Sequence, residues 1–457
     1  MRTRLRAVIA LLAISCLTPR APAAPAQTAG RDRRPNLIVI LADDLGVGDL
    51  AVQGASDLRT PHLDALAAAG MRFDNFYANA PVCSPTRAAL MTGRYPDLVG
   101  VPGVIRTKPD DNWGHLAPAT LLPQELKRAG YDTALVGKWH LGLASPGLPN
   151  ERGFDHFHGF LGDMMDDYLN HRRHGINYLR RDGETIDPPG HATDLFTAWA
   201  IAYLNERKGA PQPFFLYLAY NAPHVPLQPP PEWLERVTRR APGMDAQRAR
   251  LAALIEHLDA GVGQLIAALK ANGQDQNTLV VFTSDNGGQR DVGANCGRWR
   301  GSKGDLYEGG IRVPMFAVWP GRIRPGARSD RVALTMDLFP TLCEAAGTRP
   351  SQAIEGRSIL PTLVGQDQPP DGRDLFWMRR EGGARYQGQD YYAVRRGPWK
   401  MVHNQPFAPL QLFNLTADPL EERDLAGTEP QVFAELSSAL RAHLQRAGAV
   451  SWQQPAQ

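Results

Sequence analysis

The sequence predicts an α/β protein, with one large, mostly parallel sheet sandwiched by helices and then a small antiparallel sheet plus a terminal helix. Three observations carry this prediction. Residues 36–41, 133–136, 214–218 and 279–282 are short, nearly all-apolar runs that read as strands buried on both faces, the habit of parallel sheets. Helical stretches alternate with them, which builds a sheet covered on both sides. From about Gly365 the composition turns polar, and shorter strand-like runs follow.

The elements can be taken in order. The strand at 36–41 ends in Asp43-Asp44, two adjacent carboxylates whose mutual repulsion a cation would relieve. Thr60-Pro61 opens a helix that runs to Ala69 and stops at Gly70. In Cys83-Ser84-Pro85-Thr86-Arg87, Ser84 is read as a helix cap, Pro85 as the first helical position and Gly93 as the stop. Cys83 then sits just before a helix N-terminus, where free N–H groups favour an anion, and Arg87 lies one turn on. A helix is expected over 118–129, closed by Gly130. The strand at 133–136 runs into Lys138 and His140, which share a face if the chain stays extended. Residues 151–190 show little periodicity and read as an elaborated loop; 163–174 within it, and 295–300 further on, are expected to shape what the site accepts. A helix over 193–207 is expected to turn Leu195, Trp199, Ala202 and Tyr203 inward.

The strand at 214–218 leads to His224. The longest helix, 247–272, carries apolar residues at 251, 254, 255, 258, 262, 265 and 269. The strand at 279–282 ends in Asp285-Asn286 before two glycines. A glycine-rich basic stretch, 297–314, contains Lys303 and precedes a strand at 315–319 and a helix at 337–346. Residues 366–372 read as a linker. Strands at 391–395, 399–402 and 410–415 and a helix at 432–447 complete the chain. In open parallel sheets, ligands bind beyond the carboxyl ends of strands. Asp43, Asp44, His140, His224, Asp285 and Asn286 all follow such ends, so they are expected to share one site. Three carboxylates and an amide oxygen suit Ca²⁺ or Mg²⁺ rather than zinc.

Composition narrows the class. The 457 residues are 43% hydrophobic and 21% charged with net charge +3, a balance too even to point to nucleic acid or a membrane surface. Four cysteines, at 16, 83, 296 and 343, make no disulfide framework at this length. Arg2, Arg4 and Arg6, an apolar run over 7–17 and Ala24-Pro25-Ala26 read as an export signal over 1–26. The alternative there is a lipoprotein acylated at Cys16. No other apolar run reads as a transmembrane segment.

Two motifs carry a family resemblance. Cys83-x-Pro85-x-Arg87 with Leu90-Met91-Thr92-Gly93 resembles the first signature of the formylglycine-dependent sulfatases, with Thr86 where serine is common. Gly130-Tyr131-x-Thr133-x-x-x-Gly137-Lys138-x-His140 resembles the second. The resemblance extends to an alkaline phosphatase-like fold, with a catalytic domain over 35–365 and a C-terminal α+β subdomain over 373–450. It implies a sulfuric ester hydrolase of the arylsulfatase or N-acetylgalactosamine-sulfatase kind, acting on a sulfated carbohydrate or aryl sulfate, and the N-terminal signal adds the expectation of export to the periplasm or secretion. It further implies that a formylglycine-generating enzyme converts Cys83 to formylglycine, and that Asp43, Asp44, residue 83, Asp285 and Asn286 hold one Ca²⁺. In that scheme a hydroxyl of hydrated formylglycine, near Arg87, attacks sulfur. Lys138 and Lys303 grip the sulfate, His224 is the candidate acid and His140 the candidate base, and the two histidine roles can be exchanged. Two other readings stand beside it: a phosphonate or phosphate monoester hydrolase of the same superfamily, and a non-catalytic binder of sulfated glycans.

Overall fold

The computed structural model describes residues 34–108, 115–382 and 386–452. The expected signal over 1–26, with Cys16, lies outside the described residues. From Arg34 onward the chain forms one compact unit. Its centre is a ten-stranded sheet among the described residues: β1 (Asn36–Ala42), β2 (Met71–Phe73), β3 (Asp132–Lys138), β4 (His156–Phe160), β5 (Leu179–Arg181), β6 (Glu184–Thr185), β7 (Phe214–Ala219), β8 (Thr278–Ser284), β9 (Met315–Val318) and β10 (Ala327–Ser329). The spatial order is β10-β2-β9-β8-β1-β7-β3-β4-β5-β6. The middle five, β8 to β4 in that order, run parallel, and antiparallel pairs begin at β9 and β5. Strands β1, β3, β7, β8 and β9 are buried almost throughout, which is why the middles of their sequences are apolar.

Register brings the strand ends level. Ala42 pairs with Ser284, Leu41 with Ala219, and Ala219 with Gly137. The residues that follow β1, β8, β7 and β3 therefore emerge together at one edge. Gly137 makes this closeness feasible. Its φ is +104°, and a Cβ there would lie 1.9 Å from the Ala219 carbonyl oxygen.

The main helices are α1 (Pro61–Ala69), α2 (Cys83–Thr92), α3 (Leu122–Arg128), α4 (Ala192–Glu206), α5 (Pro231–Arg240), α6 (Ala246–Ala271), α7 (Leu338–Ala345) and α8 (Pro430–Gly448). Helix α6 is long and apolar enough to cross a membrane, contrary to the sequence expectation, yet 67% of that stretch is buried inside the protein. All seven apolar positions expected to face inward on α6 are buried. The small sheet is β11 (Leu375–Arg380), β12 (Asp390–Arg396), β13 (Trp399–His403) and β14 (Gln411–Asn414), antiparallel throughout, with α8 against it.

Several local expectations need correction. Helix α2 begins at Cys83, because Val82 is extended and no side chain caps it. Ser84 Oγ instead accepts from the Ile105 N–H at 3.0 Å, while Thr86 Oγ1 accepts from the Ala80 N–H at 3.1 Å. Gly93 does end α2, in the left-handed conformation. Helix α3 starts at Leu122, since Leu121 is extended and its N–H is held by Gln124 Oε1 at 2.7 Å. Helix α4 turns Phe196, Ala200, Tyr203 and Leu204 inward, leaving Leu195 and Trp199 half-buried and Ala202 exposed. Residues 151–190 are not only loop, because β4, β5 and β6 extend the sheet there. Strand β11, absent from the sequence reading, opens the small sheet. Cys296 and Cys343 are buried and unpaired thiols.

Candidate active site

The level strand ends gather all ten residues singled out from the sequence. Asp43 and Asp44 follow β1, Asp285 and Asn286 follow β8, Lys138 ends β3 with His140 two residues on, and His224 lies in the loop after β7. Helix α2 brings Cys83 and Arg87 to the same place, and the 297–314 segment brings Lys303. All are buried except Lys303, whose side chain is 17% exposed.

Their contacts form one network. Lys138 Nζ donates to Asp43 Oδ2 at 2.6 Å, and Lys303 Nζ donates to Asp44 Oδ2 at 2.6 Å. Arg87 donates to Asp285 Oδ2 through Nε at 3.0 Å and Nη2 at 2.7 Å, and its Nη1 reaches the Lys138 carbonyl at 3.3 Å. The Asp44 N–H donates to Asp285 Oδ1 at 3.1 Å, and Asn286 Nδ2 donates to Asp44 Oδ1 at 2.8 Å. Three carboxylates thus face three cations in a largely buried cluster. A divalent cation and an anionic ester entering together would largely neutralise each other there.

The donor set fits a hard cation. Asp43 Oδ1 and Asn286 Oδ1 are buried without a hydrogen-bond partner. Ligand atoms of Asp43, Asp44, Cys83 and His224 lie within 4.8 Å of one another. Unpaired buried oxygens are costly, and metal coordination is a standard way to satisfy them.

The surroundings tune each group. Burial pushes the Cys83 thiol up to about 12, against the pull of Lys138 and Lys303. The encoded thiol is therefore protonated at neutral pH and a poor nucleophile. Burial opposes ionisation of Asp43 and Asp44, but the neighbouring cations, led by Lys138 and Lys303 respectively, hold both below the usual carboxylate range. Asp285 is pushed up, by burial and then by Asp43.

The two histidines are prepared differently. His140 Nε2 lies 2.8 Å from the Ile105 carbonyl oxygen, which can only accept, so Nε2 carries the proton. Its Nδ1 is a buried lone pair with no partner, and burial followed by Lys138 and Arg87 holds the ring neutral. His224 Nδ1 donates to the Val225 carbonyl at 2.7 Å, which turns Nε2 toward Lys303 Nζ at 3.0 Å and Asp44 Oδ2 at 3.5 Å. Burial, then Lys303, lowers its pKa. Tyr168 Oη fixes this loop by donating to the Asn221 and His224 carbonyls, each at 2.8 Å.

Lys138 and His140 do not share a face of an extended strand. The strand ends at Lys138, and His140 has φ +60°. Asp44 is also left-handed, at φ +67°. Such conformations are strained for residues with a Cβ, and both occur at this cluster.

A pocket of about 660 Å³ opens over Cys83, His140, His224 and Lys303. Of the two stretches expected to shape it, only Asp163 and Met164 of 163–174 line it, and none of 295–300 does. Arg300 lies instead over the Tyr307 ring, and the Asn295 carbonyl holds the Gly48 N–H. Sequence reasoning missed Arg106, Arg290, Arg379 and Glu381, which line the pocket. None carries a motif, and Arg379 arrives on a strand that was not anticipated.

Comparison with known proteins follows this geometry. The sulfatase family model matches residues 35–348, and the C-terminal model of N-sulphoglucosamine sulphohydrolase matches 300–449. Mouse N-acetylgalactosamine-6-sulfatase is 34% identical over 396 residues, covering 81% of this chain and 72% of that protein. Human arylsulfatase A is 32% identical over 470 residues, covering 88% and 86%. The crystal structure of Ps i-CgsB in complex with k-i-k-neocarrahexaose superposes with a TM-score of 0.84 at 32% identity, covering 93% of this chain and 95% of that one. The phosphonate monoester hydrolase of Agrobacterium radiobacter shares the fold, with a TM-score of 0.66 at 23% identity, covering 91% and 96%.

Proposed function

The chain belongs to the sulfatase family and is a sulfuric ester hydrolase, and on that premise we propose that it removes O-sulfate from a sugar or glycan using formylglycine at position 83 and one calcium ion. Asp43, Asp44, Asp285 and Asn286, together with residue 83, would hold the ion. The observation that carries this reading is the pair of buried oxygens without a hydrogen bond, Asp43 Oδ1 and Asn286 Oδ1, next to the ammonium groups of Lys138 and Lys303 and the N-terminus of α2. When bound, the ion would polarise ester and attacking oxygens. Formylglycine would supply a hydroxyl that a protonated thiol lacks, and a formylglycine-generating enzyme is the partner needed for that conversion.

The chain's own groups divide the remaining work. Lys138 and Lys303 hold the sulfate oxygens, and their charge acts strongly because Lys138 is fully buried and Lys303 largely so. Arg87 fixes Asp285 through two hydrogen bonds and so fixes the ligand geometry. His140 accepts a proton at Nδ1, the free lone pair. His224 delivers a proton from Nε2 to the leaving alcohol; burial and Lys303 make that proton more acidic, and Asp44 Oδ2 faces the same nitrogen at 3.5 Å. The balance is ester plus water to alcohol plus hydrogen sulfate. The sugar reading draws on relatives named for N-acetylgalactosamine 6-sulfate and on one solved with a neocarrahexaose. Export to the periplasm or medium is proposed on the N-terminal residues alone.

The test is sulfate release by converted protein from nitrophenyl sulfate, N-acetylgalactosamine 6-sulfate and carrageenan oligosaccharides, with a nitrophenyl phosphonate ester alongside. Release from a sulfated sugar is expected. Turnover of the phosphonate ester, with no sulfated sugar cleaved, would overturn the reading.

A further inference from the structure

We propose that Arg106 and Arg379 form a second anion subsite, so that the enzyme selects sugars bearing another anionic substituent, sulfate or carboxylate, beside the sulfate it removes. This rests on the sulfated-sugar reading above. Both side chains line the pocket over Cys83.

Each arginine is tied to the neighbourhood of the catalytic cluster, Arg106 through its backbone and Arg379 through its guanidinium. Arg106 follows Ile105, whose N–H is held by Ser84 Oγ and whose carbonyl oxygen is held by His140 Nε2. Arg379 Nη1 donates to the Gly304 carbonyl at 2.9 Å, and Gly304 follows Lys303 and donates its own N–H to Pro81. Glu381, only 4% exposed, ties the two together. Its Oε1 accepts from Arg379 Nε at 2.7 Å, and its Oε2 accepts from Arg106 Nη2.

One carboxylate against two guanidiniums leaves a surplus positive charge. Arg106 Nε and Nη1 and Arg379 Nη2 keep N–H groups with no hydrogen-bond partner among the described residues. The side chains are 27% and 14% exposed, so these donors can reach a ligand. Asp163 on the same pocket acts on Arg106 but is shared with Arg173, which holds it at 2.9 and 3.2 Å, and the pocket's remaining carboxylate, Asp291, is accompanied there by Arg290. A fork fixed by a buried carboxylate pays little entropy on gripping an oxyanion. Glu381 is accordingly a positioning residue.

The experiment is competition against nitrophenyl sulfate hydrolysis by converted enzyme. The competitors are N-acetylgalactosamine 6-sulfate, its 4,6-disulfate, and 6-sulfated N-acetylgalactosamine linked to glucuronate. Inhibition constants are compared as ratios within each variant, so a general loss of activity cancels. Calorimetric binding replaces competition where turnover is lost. In wild type, at least one doubly anionic sugar should bind about tenfold tighter than the monosulfate, as a charge-assisted hydrogen bond would supply. The double variant Arg106→Gln/Arg379→Gln should bring that ratio close to one, Glu381→Gln should lower it, and Arg236→Gln on α5 should leave it alone. The sulfate and carboxylate arms identify which anion is read. A ratio near one in wild type for both sugars, or a ratio unchanged in the double variant, overturns the subsite and leaves a structural strut. Failure of converted wild type to hydrolyse any sulfate ester would overturn the sulfated-sugar reading instead.

Discussion

Replacing Lys400 by Met should destabilise the protein by a calculable amount. Lys400 on β13 is fully buried, and its ammonium sits between Glu308 Oε1 at 2.9 Å and Glu421 Oε1 at 2.8 Å. Glu308 has other support, since its Oε2 accepts from Tyr77 Oη at 2.7 Å and Arg312 Nε at 3.0 Å. Glu421 keeps only the Glu308 N–H on its Oε2, at 2.8 Å, and burial already pushes its carboxyl up. Breaking a buried pair from one side costs about 3–5 kcal/mol. With an unfolding entropy of ~2.1 cal/mol/K per residue over the roughly 420 residues after Arg34, that loss lowers Tm by about 3–6 °C. The sign of the pH dependence follows. Without Lys400, the Glu421 pKa in the folded state rises further above its unfolded value, so the variant is least handicapped at low pH and loses stability as pH rises. Calorimetric melts at pH 5 and pH 8 should therefore show the larger deficit at pH 8. Adding Glu421→Gln should recover at least half of it. A Tm within about 1 °C of wild type at pH 8, or equal deficits at both pH values, would refute the argument.

Other outcomes follow from the site and its supports. His224→Ala should lose about 100-fold on a sugar sulfate and much less on nitrophenyl sulfate, whose leaving group needs little protonation, whereas His140→Ala should lose on both; equal losses for His224→Ala would remove its acid role. Chelation should abolish sulfate release, and added Ca²⁺ should restore it and raise Tm by a few degrees, about 2.7 kcal/mol at 100 times Kd, while Asp43→Asn should cancel that shift. Acid should weaken the fold between pH 6.5 and 4 through His191, whose ring is held down to about 4 by burial, then by His257, with Asp194 and His171 also facing it. Its contribution is complete above the unfolded value near 6.5 and is lost as pH falls through 4. The His191→Gln variant should show a flatter decline in Tm over that range, and an unchanged slope would exclude His191 as the cause.

The sequence was most legible where burial is complete. Strands β1, β7 and β8 and helix α6 announce themselves because nearly every side chain on their inward faces is apolar. The site was legible for a related reason: charged residues directly after such strands have few structural explanations. Strand β4 was missed because its burial alternates irregularly and His156 is exposed, so it lacks a clean period. Helix α2 starts earlier than its serine suggests because the Ser84 hydroxyl is taken by Ile105, a contact 21 residues away. The pocket wall was illegible altogether, since Arg106 meets Glu381 only through tertiary folding across 275 positions.

The most direct test of the account is peptide mass spectrometry across residue 83, on protein made with and without a formylglycine-generating enzyme and assayed in parallel for sulfate release. A thiol replaced by an aldehyde or its hydrate, with activity rising in proportion to the converted fraction, is the predicted result. Full sulfate release by protein that still carries the Cys83 thiol would contradict it.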